Sequence, residues 1–142
     1  MSDQGITERC YCGTVSMSTT RPPITVAFSH CSDCRRWTGN PAPAFAAFDP
    51  KDLSPEPALD APVITNSGVE RWNCKHCGSP LAATFEYIRD QIYTPLGLID
   101  QADQLPAEIH CFSKKQLPGL HIMDDATRGI GSTCCALIGT AE

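Results

Sequence analysis

Apolar residues recur at alternate positions along much of the chain, in short runs that are separated by turn residues. Alternation of this kind, with β-branched residues in the runs, is typical of strands whose two faces meet different surroundings. Twelve prolines and ten glycines interrupt the chain too often for long helices. Strands are predicted at residues 14–18, 24–30, 44–48, 62–66, 69–73, 81–86, 91–96 and 108–112. The pattern therefore predicts a mainly β protein.

The domain organisation is predicted to be simple. A chain of 142 residues can bury one core, and nothing in the pattern requires a second one. The Pro- and Ala-rich residues 53–62 form a candidate linker, but a stretch of this length suits a surface loop of a compact domain. We expect one domain over residues 1–125 and a C-terminal tail over residues 126–142 that carries Cys134 and Cys135.

Composition narrows the classes of partner. Sixteen acidic and eleven basic residues give a net charge of -5, and no cluster of Lys and Arg is longer than a pair. Binding to nucleic acid or to a membrane surface is therefore disfavoured. The first residues lack the apolar segment of a signal peptide, and no run of about 18 apolar residues is long enough to span a bilayer. A cytoplasmic protein is expected.

Nine cysteines are many for a chain of this length. In a reducing compartment, cysteines at short spacing indicate metal binding or thiol catalysis rather than disulfides. The odd number also leaves at least one thiol outside any scheme of disulfides. Metal binding is therefore the favoured interpretation.

Two pairs of cysteines are each closed by a glycine and followed by a predicted strand. The residues are Cys10, Cys12 and Gly13 in the first pair and Cys74, Cys77 and Gly78 in the second. A glycine at this point lets the backbone turn tightly enough for amide groups to approach the sulfurs, as in a metal knuckle. Two knuckles that are distant in sequence are the usual source of four thiolates for a structural zinc ion, although an all-thiolate tetrahedron also suits iron.

Spacing alone permits a second pairing of the cysteines. Cys31 and Cys34 would then join Cys74 and Cys77, as in rubredoxin-like or zinc-ribbon sites. Cys34 is followed by Arg35 and not by glycine, which favours the first pairing. In the first pairing, a bound metal would tie the start of the chain to its middle, and its binding energy would count as folding energy.

The stretch FSHCSDCRRW, residues 28–37, resembles a metal site that lacks one ligand. If residues 24–31 form a strand, alternation places Ser29 and Cys31 on one face and His30 on the other. Cys34 can return to the same point around the following turn. Three ligands with an open position are the format of a catalytic zinc site, but a neutral serine hydroxyl is a poor replacement for a thiolate.

The order of these motifs resembles the glutathione-dependent formaldehyde-activating enzyme family, which also contains centromere protein V. The resemblance extends over roughly residues 5–125 and is carried by both knuckles, by residues 30–35, by PLGLID at 95–100, and by Ile109-His110 with Ser113-Lys114. It implies a β-tent fold, in which two antiparallel sheets lean together around a four-cysteine zinc site. It also implies carbon–sulfur lyase activity, which is assigned to some members.

The resemblance also implies roles for the site residues. The structural zinc of the family maps onto Cys10, Cys12, Cys74 and Cys77, in agreement with the pairing that the glycines favour. The catalytic zinc is held by a C-x-C-x-x-C motif that maps onto positions 29, 31 and 34, so Ser29 stands where the family has a cysteine. Cys31 and Cys34 would supply two ligands of a second zinc, the substrate thiolate a third, and Ser29, water or Asp33 a weak fourth.

Arginines follow this motif. Arg35 matches a motif position of the family and completes the expected catalytic set of Ser29, Cys31, Cys34 and Arg35. A cation here could lower a thiol pKa or hold a carboxylate of glutathione, although a solvated surface pair with Arg36 is an equal alternative. The arginines are also the one support for a redox role of Cys31 and Cys34. Cys111, on a predicted strand, is most simply a core residue.

For the reaction of the family, a glutathione thiolate adds to formaldehyde and gives S-hydroxymethylglutathione, with zinc keeping the sulfur deprotonated and positioned. We therefore expect a zinc protein that forms or cleaves adducts of a small thiol, such as glutathione, with a small aldehyde. The alternative is a zinc-stabilised binding or scaffold protein that has lost its second metal, since fold resemblance alone does not carry activity. One zinc per chain is expected, with a gain toward two in Ser29→Cys.

Overall fold

The computed structural model describes residues 5–130, which form strands, one α-helix and short 3-10 turns. The strands are β1 (Ile6–Arg9), β2 (Ser16–Thr19), β3 (Thr25–Ser29), β4 (Ala44–Phe48), β5 (Ser54–Glu56), β6 (Val63–Asn66), β7 (Val69–Asn73), β8 (Pro80–Phe85), β9 (Ile88–Pro95), β10 (Ile109–Cys111) and β11 (Thr127–Arg128). The helix is α1 (Ser32–Thr38). The 3-10 turns are Pro50–Asp52, Leu96–Leu98, Ala102–Gln104 and Ser113–Lys115.

The strands form two sheets. The smaller has the order β1-β2-β5, and the larger has the order β11-β10-β3-β4-β9-β8-β7-β6. The prediction of a mainly β fold with two sheets and no long helix is confirmed. The larger sheet is mixed and not purely antiparallel, because β10 runs parallel to both β3 and β11. Strand β10 reaches β3 through the long connection after β9, as a parallel neighbour requires.

Eight strands lie where the alternation predicts them, with bounds that shift by at most three residues. Strands β1, β5 and β11 lie outside the predicted set. Strand β5 lies within the candidate linker, residues 53–62, and pairs with β2, so this stretch belongs to the smaller sheet. Strand β11 falls in the segment predicted as a tail and pairs with β10. Cys134 and Cys135 lie outside the described residues.

Alternation along β4 separates two apolar regions on opposite faces of the larger sheet. Ala46 and Phe48 belong to a cluster that is shared with the smaller sheet, through side chains such as Met17. Phe45 and Ala47 belong to a second cluster on the other face, which includes residues of α1. Burying a side chain such as Phe48 contributes about 1.5–3 kcal/mol to stability. Both faces of the larger sheet are therefore covered near its centre.

Helix α1 begins directly after β3 and ends before Gly39. Its seven residues replace the simple turn that the sequence predicts between Cys31 and Cys34. Cys34 is the buried residue of the helix and packs against the sheet, so α1 brings this thiol back over the end of β3. Within residues 5–130, no helix has the length and apolar character needed to cross a membrane.

Candidate metal centre and thiol cleft

Four cysteine sulfurs meet where the turn between β1 and β2 approaches the turn between β7 and β8. The Cys10 sulfur lies 3.7 Å from the sulfurs of Cys12 and Cys74, and the Cys12 and Cys74 sulfurs are 3.8 Å apart. The sulfur of Cys77 completes a group within 4.8 Å. Four thiolates around zinc, with Zn–S distances of about 2.3 Å, form a tetrahedron with edges of about 3.8 Å. The four residues therefore fit a metal ion, and we call this group the quartet.

Both cysteine pairs of the quartet lie in tight turns. The backbone N–H of Gly13 donates to the carbonyl of Cys10 at 3.1 Å, and the N–H of Gly78 donates to the carbonyl of Cys74 at 2.8 Å. Each of these glycines has a φ of 81°, in the left-handed region that other residues avoid. This is the local geometry that the glycines predict for a knuckle.

The quartet lies at the boundary between core and surface. Cys10 and Cys74 are buried, whereas Cys12 is exposed. Hydrogen bonds from the side chain and the backbone of Ser79 lower the pKa of Cys77 to about 5, which favours the thiolate form that binds metals. Because all four ligand positions come from the protein, a metal here has no open position, which is typical of a structural site. Cys31 and Cys34 lie elsewhere, so the second pairing is not formed.

A cleft of about 70 Å³ lies on the face of the larger sheet that α1 covers. Its lining includes Ser29, Cys31 and Cys34, which alternation and the following turn predict to face one point. The remaining lining residues are mostly apolar or aromatic and are Ala27, Asp33, Phe45, Ala83, Phe85, Tyr87, Tyr93, Cys111 and Phe112. The cleft therefore combines several sulfur and oxygen groups with walls that are mostly apolar.

The two thiols of the C-x-x-C step in this cleft have different acidities. A hydrogen bond from the Cys34 thiol to the Cys31 sulfur lowers the pKa of Cys31 to about 5, and the backbone amides of Asp33 and Cys34 lower it further. The same hydrogen bond, together with burial, raises the pKa of Cys34 above its ordinary value. Cys31 is therefore the thiolate of the pair near neutral pH, with Cys34 as its donor.

Arg71 approaches these thiols from β7, and its side chain is 6% exposed. Its Nη2 lies 2.7 Å from Oδ2 of Asp33 and 4.0 Å from Sγ of Cys34. The guanidinium also stacks on Trp37, at 4.5 Å from the ring centroid. Its positive charge lowers the pKa of Cys34 and so opposes the effect of burial. Sequence reasoning did not single out Arg71. The signal that was available is its position two residues after Val69, which places a charged side chain on the same strand face as an apolar one.

The other expected site residues take different positions. Arg35 is half-buried and does not line the cleft, and within residues 5–130 its Nε has no hydrogen-bond partner. Arg36 is exposed. Asp33 lines the cleft, but its carboxylate accepts hydrogen bonds from Arg71 and from Nδ2 of Asn66 at 2.9 Å. The cation in contact with Cys34 is therefore Arg71.

His30 lies on the opposite face of the sheet, as alternation predicts. Its Nε2 lies 2.8 Å from Nδ1 of His110, and Nε2 of His110 lies 2.9 Å from Oδ2 of Asp124. Burial lowers the pKa of His30, and the charges of His110 and Arg128 lower it further. This row of side chains connects β3 and β10 to the segment after residue 120 and is separate from the cleft.

A sequence model of the family described as glutathione-dependent formaldehyde-activating enzyme matches residues 5–115. The chain belongs to this family. The matched region contains the quartet and all the residues that line the cleft. The family description names glutathione and formaldehyde, the thiol and the aldehyde that the resemblance implies.

A crystal structure of a Rhodobacter sphaeroides protein, solved in a structural genomics programme, is similar to this member of the glutathione-dependent formaldehyde-activating enzyme family. The two structures align with a TM-score of 0.53 over 87% of this chain and 98% of the other, at 16% sequence identity. At this identity, the likeness shows a shared fold alone. Among curated proteins, none matches the chain.

Proposed function

We propose that this protein is a zinc-dependent carbon–sulfur lyase that forms or cleaves adducts between a small thiol, such as glutathione, and a small aldehyde, such as formaldehyde. The observation that carries the proposal is the meeting of Cys31, Cys34 and Ser29 in an apolar cleft, on a chain of this family. The quartet would hold a structural zinc, and the cleft would hold the reacting groups. A cytoplasmic location suits such a protein, because a reducing compartment keeps these cysteines as thiols.

The residues of the cleft support this chemistry. Zinc bound there supplies a positive charge that keeps a substrate sulfur deprotonated and fixes its position. Cys31, with its pKa lowered to about 5, and Cys34 would supply two of its ligands. Arg71 holds Asp33 by an ion pair and places a positive charge beside Cys34. The apolar walls exclude water and so favour addition of the thiolate over hydration of the aldehyde.

The reaction itself is reversible and needs no oxidant or reductant. In the forward direction, the thiolate sulfur forms a bond to the carbonyl carbon, and the carbonyl oxygen takes up a proton. In reverse, the hydroxyl loses its proton and the carbon–sulfur bond breaks. The hydroxyl of Ser29 lines the same cleft and can donate a hydrogen bond to the oxygen on which negative charge develops. A cleft of about 70 Å³ suits the aldehyde and the reacting sulfur, with the rest of glutathione outside it.

Ser29 also supports a second candidate function, that of a binding or scaffold protein stabilised by the quartet alone. A hydroxyl is a much weaker zinc ligand than a thiolate. If Cys31 and Cys34 were the sole protein ligands, the cleft would offer fewer than the usual three. The fold and the quartet would then persist without catalysis.

Exchange NMR separates the two candidates. Glutathione and formaldehyde also combine spontaneously, so the rate of exchange between free glutathione and its adduct is measured at equilibrium with and without zinc-loaded protein. We expect the native protein to accelerate exchange and Cys34→Ser to reduce the acceleration at least tenfold. Arg36→Ala, which changes an exposed residue of the same helix, should keep it. No acceleration by zinc-saturated native protein would favour the scaffold function.

A further inference from the structure

Cys111 occupies the position beside Ser29 on the neighbouring strand. Strand β10 runs parallel to β3, and Cys111 pairs with Ser29 in the register of the two strands. Directly paired residues of adjacent strands project from the same face of a sheet, and the strands are about 4.8 Å apart. Both residues line the cleft that contains Cys31 and Cys34. A third thiol is therefore present on the face where the second zinc motif lacks one.

The backbone keeps Cys111 beside the segment that carries Cys31. The N–H of His30 donates to the carbonyl of Cys111 at 3.0 Å, which extends the pairing of β3 and β10 by one residue beyond Ser29. Cys31 follows immediately, and Cys34 returns over the same point on α1. The three thiols thus come from β10, from the residue that precedes α1 and from α1 itself, which are packed together.

The residue after Cys111 has an unusual backbone conformation. Among residues 5–130, Phe112 is the one non-glycine residue with a positive φ, at 53°. Such conformations cost free energy and are often retained next to functional sites. Phe112 also lines the cleft. Phe112 therefore takes a left-handed conformation directly after Cys111, among the residues that line the cleft.

The chemistry of the set agrees with its placement. Three thiolates and an open position are sufficient for a catalytic type of zinc site, whereas two thiolates are not. The three sulfurs do not lie within 4.8 Å of one another, as those of the quartet do. Rotation of cysteine side chains between staggered conformers moves sulfur without moving the backbone. The positive charge of Arg71, 4.0 Å from the Cys34 sulfur, offsets part of the excess negative charge of three thiolates on a divalent ion.

We propose that Cys31, Cys34 and Cys111 together bind a thiophilic divalent ion such as Zn²⁺, and that Cys111 replaces the thiolate that Ser29 cannot supply. The inference rests on the proposed function only in assigning the open position to a thiol substrate. The native protein then binds two ions per chain, one in the quartet and one in the cleft, instead of the single ion that Ser29 suggests on its own.

Cadmium NMR on the native protein identifies the ligands directly. Metal-depleted protein is loaded with an NMR-active cadmium isotope, and correlations between each cadmium resonance and cysteine β-protons are recorded. We expect one resonance that correlates with the quartet and a second that correlates with Cys31, Cys34 and Cys111. A second resonance that correlates with Cys31 and Cys34 but not with Cys111 would overturn the proposal, as would the binding of one cadmium ion only.

Exchanging the side chains at positions 29 and 111 gives an independent test. Cys111→Ser should lower the zinc content from two ions per chain to one, and Ser29→Cys in the same chain should restore two. Ser29→Cys alone is the matched control and should keep two. Retention of both ions by Cys111→Ser, with the quartet loaded, would refute the assignment of Cys111. If Cys111→Ser does not fold, the native cadmium spectrum still decides.

These measurements separate the metal site from the reaction. Cadmium correlations to Cys111, combined with no acceleration of adduct exchange, would support the metal site and refute the lyase. Exchange that is accelerated equally by the native protein and by Cys111→Ser would support the lyase and refute the role of Cys111. The cadmium spectrum and the exchange rate therefore test the metal site and the lyase activity separately.

Discussion

Arg71 places a permanent positive charge beside Cys34 although its side chain is almost fully buried. Three contacts offset the cost of burying this charge: the carboxylate of Asp33, the face of Trp37 and the face of Phe85 at 5.7 Å. Within the described residues, Nη1 of Arg71 has no hydrogen-bond partner. A buried guanidinium with incomplete hydrogen bonding depends on contacts such as these three, because a buried charge without compensation is costly.

Replacing Arg71 should destabilise the protein measurably. Arg71→Met keeps much of the side-chain volume but removes the ion pair and the contact with Trp37. Because Asp33 is 41% exposed and can be hydrated, we expect a loss of about 1–2 kcal/mol in the free energy of unfolding, measured with urea. The matched control is Arg9→Met, because Arg9 is 71% exposed and 3.8 Å from Asp100. That change should stay within about 0.5 kcal/mol, and equal losses in the two variants would contradict the importance given to Arg71.

At the scale of elements, β3 and β10 are joined through their side chains as well as through the sheet. On one face, Ser29 and Cys111 line the cleft. On the other, His30 and His110 stack at an interplanar angle of 9°, and Asp124 follows. The same two strands therefore build the cleft and attach the segment that contains Asp124 and Arg128.

His30 should make the stability of the protein depend on pH. Its pKa is lowered in the folded state, by burial first and then by the charges of His110 and Arg128. Below about pH 6.5 the unfolded chain therefore takes up a proton that the folded chain does not, and stability falls as the pH falls. We expect the free energy of unfolding, measured with urea between about pH 5 and 7.5, to fall less steeply in His30→Phe than in the native protein.

The control for this measurement is His121→Gln, which changes an exposed histidine. It should leave the slope of unfolding free energy against pH unchanged. His110, Asp124 and Arg128 remain in His30→Phe, so the difference between the slopes of the native protein and this variant reports on His30 together with its hydrogen bond to His110. An identical slope in His30→Phe and in the native protein would show that His30 is not held neutral.

Alternation was sufficient to predict most strands, because the two faces of each strand meet different surroundings. Helix α1 was not predicted, since its two turns are too short to show a helical period. Ser29, Cys31 and Cys34 were predicted to face one point because their placement depends on local geometry alone. Arg71 and Cys111 approach them from other strands. Their contacts depend on which strands become neighbours and in what register, and the spacing of residues within a strand does not specify this.

At the scale of the whole molecule, the quartet joins the two sheets. Cys10 and Cys12 follow β1 of the smaller sheet, and Cys74 and Cys77 follow β7 of the larger one. Cys10 and Cys74 are 64 positions apart in the chain. A metal bound by all four would therefore add a link between two sheets that also share apolar side chains, and whose turns are joined by a hydrogen bond from the N–H of Tyr11 to the hydroxyl of Ser79.

Removal of a quartet ligand should therefore affect stability far more than removal of a cleft thiol. For Cys10→Ser we expect the loss of one zinc ion per chain and of roughly 3 kcal/mol or more in the free energy of unfolding. Cys31→Ser should keep the quartet ion and lose less than about 1 kcal/mol, because that side chain is half-buried. Urea unfolding measures both effects, and similar losses of unfolding free energy in the two variants would argue against a structural role for the quartet.

The parallel pairing of β3 and β10 affects how the ligands of the proposed cleft metal site can change in evolution. Because Ser29 and Cys111 are register partners, a ligand can pass from one strand to the other through two point substitutions, with no insertion and no change of fold. A search for an uninterrupted C-x-C-x-x-C string would discard this chain as a degenerate copy. A search that instead compares side chains across the two paired strands would group it with proteins that keep the string.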